Sequence, residues 1–106
     1  MREFSAAQLS DYLRQTADSP LLLDVREPWE FENARIEGSI LIPMRSVPDR
    51  MQDFDPDQEV VVICHHGIRS RMVALYLERH GFSNVINLTG GVEAWARDVD
   101  PHMATY

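Results

Sequence analysis

Cys64 is the only thiol in the chain. It stands where four apolar β-branched residues, Val60-Val61-Val62-Ile63, give way to His65-His66-Gly67-Ile68-Arg69-Ser70. A thiol at such a boundary can pack inertly at a strand end, as free cysteines often do. It can also attack a phosphate, or carry sulfur. The residues that follow bear on the choice. An apolar run ends, a loop containing glycine turns, and a helical pattern begins near Ser70. The first N–H groups of a helix have no intrahelical partners and carry the positive end of its dipole. Gly67 permits the positive φ that can turn successive N–H groups inward. The expected result is a cup of donors around the sulfur, an environment that favours thiolate. The same cup would hold an anion attached to that sulfur or approaching it. Arg69 and Arg71 add positive charge beside it, and an inert core strand needs none of this.

Spacing weighs against phosphate. A cysteine phosphatase or arsenate reductase requires Cys-x5-Arg, whose arginine clamps a tetrahedral oxyanion with its fork. Here that position is Ser70, and the arginines fall one place early, at 69, and one place late, at 71. The loop is sized for a single sulfur atom. His65 and His66 could relay a proton or touch an acceptor. We expect their side chains to point to solvent, because the cradle needs N–H groups and not imidazoles. No metal site is expected from Cys64, His65 and His66, since adjacent residues rarely converge on one ion and the sequence places no further ligand. No cofactor is expected.

The elements that must position this loop can be read from periodicity. Ser5 with Gln8 forms a capping box ahead of Leu9, Tyr12 and Leu13, so a helix is expected there, ending near Ala17. Leu21 to Val25 reads as a buried strand, and Pro28 suits the first position of a helical turn. Ser39 to Ile42 reads as a brief strand stopped by Pro43. Ser46 to Gln52 can form a short helix with Val47 and Met51 on one face. Val60 to Cys64 is the clearest strand, and Ser70 to His80 the clearest helix, ended by Gly81. Val85 to Leu88 is a strand, and Val92 to Arg97 a helix around Trp95. Residues 98–106 read as an irregular tail. Strands alternating with helices imply an α/β domain with a mostly parallel central sheet of about five strands and helices on both faces. Ligands in such sheets bind beyond the carboxyl ends of the strands, where Cys64 lies.

Composition narrows the function classes. The 106 residues fit one domain, 1–106, and the formal net charge of −7 argues against nucleic acid or an anionic membrane as a partner. There is no lysine, so all ten cationic side chains are arginine. An anion site must therefore use arginine, histidine or backbone N–H groups. No apolar run approaches the roughly 20 residues of a membrane span, and the N-terminus lacks the apolar stretch of a signal peptide. With a single cysteine, a reducing, cytoplasmic setting is expected. Asp24 and Arg26 read as a structural ion pair at a strand end, Trp29 and Trp95 as packing residues. Gly90-Gly91 reads as turn geometry, since no Gly-x-Gly-x-x-Gly frame follows.

Four segments in order carry a family resemblance. Cys64-His65-His66-Gly67-Ile68-Arg69-Ser70 resembles the active-site loop of the rhodanese family of sulfurtransferases, Cys-x-x-Gly-x-Arg-Ser. Leu23-Asp24-Val25-Arg26-Glu27 with Trp29-Glu30-Phe31 resembles the family's first strand and the segment after it. Arg35 to Pro43 is similar to His-Ile-Pro-Gly-Ala-x-x-Ile-Pro, and Asn87 to Trp95 to the closing Leu-x-Gly-Gly-x-x-x-Trp. The resemblance runs from about residue 4 to 97. It implies a single rhodanese-like domain. It also implies sulfur transfer through a persulfide on Cys64, held by the loop N–H groups of His65, His66, Gly67, Ile68, Arg69 and Ser70. The donor would be a small molecule such as thiosulfate, oriented by Arg69, and the acceptor a thiol or a protein. The same chemistry would serve a carrier module that hands sulfur to a protein partner in cofactor or tRNA thiolation. Arg35 stands where the family commonly has histidine, and Glu37 where it has proline. Arg35 is therefore a candidate donor contact, and the two departures bear on donor preference.

Overall fold

Val60–Ile63 forms the central strand because every one of its side chains is apolar and both faces of the sheet are covered. The computed structural model describes all 106 residues. Its strands are β1 (Arg2–Phe4), β2 (Leu21–Asp24), β3 (Ile40–Leu41), β4 (Val60–Ile63) and β5 (Val85–Leu88). Its helices are α1 (Ala6–Gln15), α2 (Pro28–Asn33), α3 (Val47–Arg50), α4 (Ile68–Arg79) and α5 (Gly91–Asp98). Turns of 3₁₀ helix flank α3 at Met44–Ser46 and Met51–Asp53. The strands pair in the order β1-β5-β4-β2-β3, all parallel. The expected α/β architecture of five strands is present, and parallelism extends to the whole sheet. No helix is long and apolar enough to cross a membrane.

Alternation along β4 divides the core. Val60, Val62 and Cys64 point to one face, where Val73, Ala74 and Leu77 of α4 and Val47 of α3 cover them. Val61 and Ile63 point to the other, against Leu9 of α1 and Val92, Ala94 and Trp95 of α5. The Ser5 capping box forms as expected, with Ser5 Oγ accepting from Gln8 N–H and Gln8 Oε1 accepting from Ser5 N–H. Pro28 opens α2. Trp95 is buried in the core, but Trp29 is 61% exposed and packs only at the rim.

The charged pair after β2 is fully enclosed. Arg26 donates from Nε to Asp24 Oδ1 at 2.9 Å and from Nη2 to Asp24 Oδ2 at 2.7 Å. It also reaches the Ala34 carbonyl at 2.6 Å and the Tyr106 hydroxyl at 2.7 Å. Both side chains are 0% exposed, so each depends on the other for compensation. Asp24→Ala leaves the guanidinium buried without its counter-ion. The expected cost is about 3–5 kcal/mol, read as a lower urea midpoint.

Candidate functional site

The loop that carries Cys64 joins β4 to α4, and two backbone contacts shape it. Gly67 caps α4 with φ +100, in the left-handed region that residues with a Cβ avoid. A Cβ there would stand 3.1 Å from Gly90 N and 3.3 Å from the Leu88 carbonyl oxygen. From the other side, the start of α5 presses on the loop. Val92 N–H donates to the Cys64 carbonyl at 2.9 Å, and Glu93 N–H to the His65 carbonyl at 3.1 Å. Gly91 sits in that contact, and a Cβ on it would lie 2.3 Å from the Cys64 carbonyl oxygen. Gly91 thus serves close approach, and Gly90, with φ +76, serves turn geometry.

With its carbonyls held by α5, the loop presents N–H groups to the sulfur. Gly67 N–H donates to Cys64 Sγ at 3.1 Å and Ser70 N–H at 3.3 Å. Arg71 N–H closes a helical bond onto the Gly67 carbonyl at 3.3 Å. Of the six loop N–H groups expected to form a cup, from His65 to Ser70, those of Gly67 and Ser70 reach the resting sulfur. Cys64 is 1% exposed. The Ser70 hydroxyl lies 3.3 Å from Sγ and donates to Asn87 Oδ1 at 2.6 Å, while Asn87 Nδ2 donates to the Gly67 carbonyl at 3.4 Å. Ser70 and Asn87 are themselves buried. The place where a phosphatase would need arginine is therefore filled by a small hydroxyl packed against the thiol.

The charged rim departs from the simplest expectation. Arg69 does not stand free: Nη1 donates to Glu30 Oε1 at 2.7 Å and Nη2 to Glu30 Oε2 at 2.9 Å. The guanidinium holds the Glu30 carboxyl down at about 2, against the opposing effect of burial, with help from the Glu27 backbone and the Tyr106 hydroxyl. Arg69 is shifted up in turn by the Glu30 hydrogen bond. Arg35 lies over the Phe31 ring at 4.7 Å. The arginine that joins Arg69 in the cleft beside the loop is Arg45, with Val25, Glu27 and Met44.

His66 meets the expectation of an exposed side chain and pairs with Glu93 at 3.1 Å. His65 does not, because it stacks on Tyr106 with ring centroids 4.0 Å apart. Burial, then the neighbouring His66, push His65 below the ordinary imidazole value. Tyr106 also meets Trp29 edge-on at 5.5 Å and donates to Glu30 Oε2 at 2.9 Å. Burial pushes its hydroxyl up to about 12. The tail is irregular, as expected, yet its last residue closes one side of the site. Glu30, Arg45, Asn87 and Tyr106 are the site residues that local sequence reading does not single out. Glu30 and Asn87 lie inside the two flanking segments of the resemblance, which was the available signal. Arg45 and Tyr106 lie outside all four.

Comparisons with known proteins place the chain by sequence and by fold. The family model described as "Rhodanese-like domain" matches residues 5–98. A protein named sulfurtransferase from Allochromatium vinosum is 38% identical over 104 residues, covering 98% of this chain and 96% of its own. The chloroplastic rhodanese-like/PpiC domain-containing protein 12 of Arabidopsis thaliana is 40% identical over 93 residues, 84% of this chain but 31% of that protein. The crystal structure of a rhodanese-like domain protein from Staphylococcus aureus superposes with a TM-score of 0.84 at 28% identity. That superposition covers 100% of this chain and 99% of the other.

The Glu30 carboxyl supplies a pH dependence. Its value in the folded chain, about 2, lies below its ordinary 4.5. The stability it contributes is complete above about pH 4.5 and is lost as the pH falls toward 2. Glu30→Gln removes that contribution. Urea midpoints measured across this range should fall less steeply with acidification in the variant than in the parent.

Proposed function

The chain belongs to the rhodanese-like domain family, and from that premise we propose that it is a sulfurtransferase acting through a persulfide on Cys64. The observation that carries the reading is the thiol at the carboxyl end of β4, with N–H groups of Gly67 and Ser70 aimed at its sulfur. The Cys64 thiolate attacks the outer sulfur of a donor such as thiosulfate. A Cys64–sulfur bond forms, the donor's sulfur–sulfur bond breaks, and sulfite leaves with the electron pair. The outer sulfur of the persulfide then passes to a nucleophile, which is cyanide in an assay and a thiol or a protein otherwise. Cys64 is regenerated as thiolate. Two half-reactions through one covalent intermediate give ping-pong kinetics. The loop N–H groups stabilise the anionic sulfur without having to reorganise.

Arg69 is the proposed orienting group for an anionic donor. Its pairing with Glu30 engages both terminal nitrogens, so a donor must compete with that carboxylate. Arg45 lines the same cleft and is a second candidate. A persulfide carrier that delivers sulfur to a protein uses the same half-reaction with a different acceptor. The absence of arginine at position 70 and the burial of Ser70 favour either sulfur reading over a phosphatase.

Thiosulfate treatment should add one sulfur atom to the intact mass, and subsequent cyanide should remove it as thiocyanate. Cys64→Ser abolishes both. Absence of an adduct with any sulfane donor would overturn the proposal, and an adduct that forms but does not turn over with small acceptors would select the carrier reading. Glu30→Gln, by releasing Arg69, should lower KM for thiosulfate severalfold with a smaller change in kcat. An unchanged KM would remove Arg69 from donor binding.

A further inference from the structure

His65 and His66 are adjacent, and sequence spacing offers them no third ligand. The fold supplies one. α5 docks on the loop through the Glu93 N–H to His65 carbonyl bond, 3.1 Å long, which brings the Glu93 side chain to the two imidazoles. One ligand atom from each of His65, His66 and Glu93 lies within 4.8 Å of the others. The two imidazole rings lie against each other, with centroids 3.9 Å apart and planes tilted by 32°. We propose that His65, His66 and Glu93 form a binding site for a borderline-soft divalent cation of the zinc type, at the rim of the Cys64 loop.

The donor set suits such an ion: two imidazole nitrogens and one carboxylate oxygen leave a fourth position to solvent. Bonds of about 2.0–2.2 Å at tetrahedral angles place two ligands of one zinc ion about 3.3–3.6 Å apart. From a spread of up to 4.8 Å the side chains must therefore draw together by roughly 1 Å. His66 and Glu93, whose side chains are 53% and 51% exposed, are free to do so. His65 is held in place by Tyr106. The two backbones that bear the ligands are already bonded to each other, so little ordering is needed for the site to close. The net charge of −7 favours cation approach.

The Cys64 thiol can bind zinc by itself, so the test uses Cys64→Ser protein. Zinc is titrated by calorimetry, and imidazole nitrogen signals are followed by NMR. The expected result is saturable binding of one ion per chain, with shifts at His65 and His66 and none at His80 or His102. Adding His66→Ala or Glu93→Gln to that background should weaken binding at least about tenfold. It should also remove the rise in melting temperature that zinc gives the Cys64→Ser parent. Three results overturn the proposal: no saturable binding, shifts confined to His80 or His102, or affinity unchanged by both substitutions. Because sulfur transfer is never measured, the outcome is independent of the proposed activity.

Discussion

Everything at the Cys64 loop depends on where two carbonyls point. The oxygens of Cys64 and His65 are taken by the N–H groups of Val92 and Glu93, at the start of α5. Each end of that contact solves the other's problem. A helix start has donors without acceptors, and a loop that offers its N–H groups to a sulfur has carbonyls to dispose of. The contact requires backbones closer than any side chain allows, which is why Gly91 stands at the junction. A glycine distant in sequence from the thiol is thus part of its environment, although it does not touch the sulfur.

A second network links the other walls. Asp24, Arg26, Tyr106, Glu30 and Arg69 form one chain of charge-assisted hydrogen bonds running from the end of β2 to the start of α4. The enclosed members, Asp24, Arg26 and Glu30, are tolerable because each has a hydrogen-bonded partner. The arrangement also tempers the site's polarity. Without Glu30, Arg69 would stand as a bare cation beside the thiol; the paired carboxylate neutralises much of its field. The backbone donors thereby become the principal positive element facing the sulfur.

Local pattern made the central elements legible, because their side chains obey one periodicity and one burial. Val60–Ile63 and the apolar face of α4 are of this kind. The start of α4 at Ile68 is two residues before the expected Ser70: its first turn carries no apolar stripe, and Gly67 alone marks the entry. Arg2–Phe4 gave no strand signal at all. Two of its three residues are charged, and only pairing with Ile86–Leu88 makes them a strand. Glu30 with Arg69, and Tyr106 with Arg26, meet across 39 and 80 positions of sequence. No window reaches so far. The family resemblance located the loop, whereas the partners that orient it emerged from tertiary contact.

The sheet's unequal strands have one more consequence. The outermost strands are its shortest or nearly so, two residues at β3 and three at β1, while the long apolar strands lie inside. An edge strand is a template on which foreign chains can add, and a brief one offers few rungs. Arg2 and Glu3 further roughen the β1 edge with charge. A domain terminated in this way can be joined to other domains without recruiting their strands. That property suits an architecture that also recurs as less than a third of the longer Arabidopsis protein.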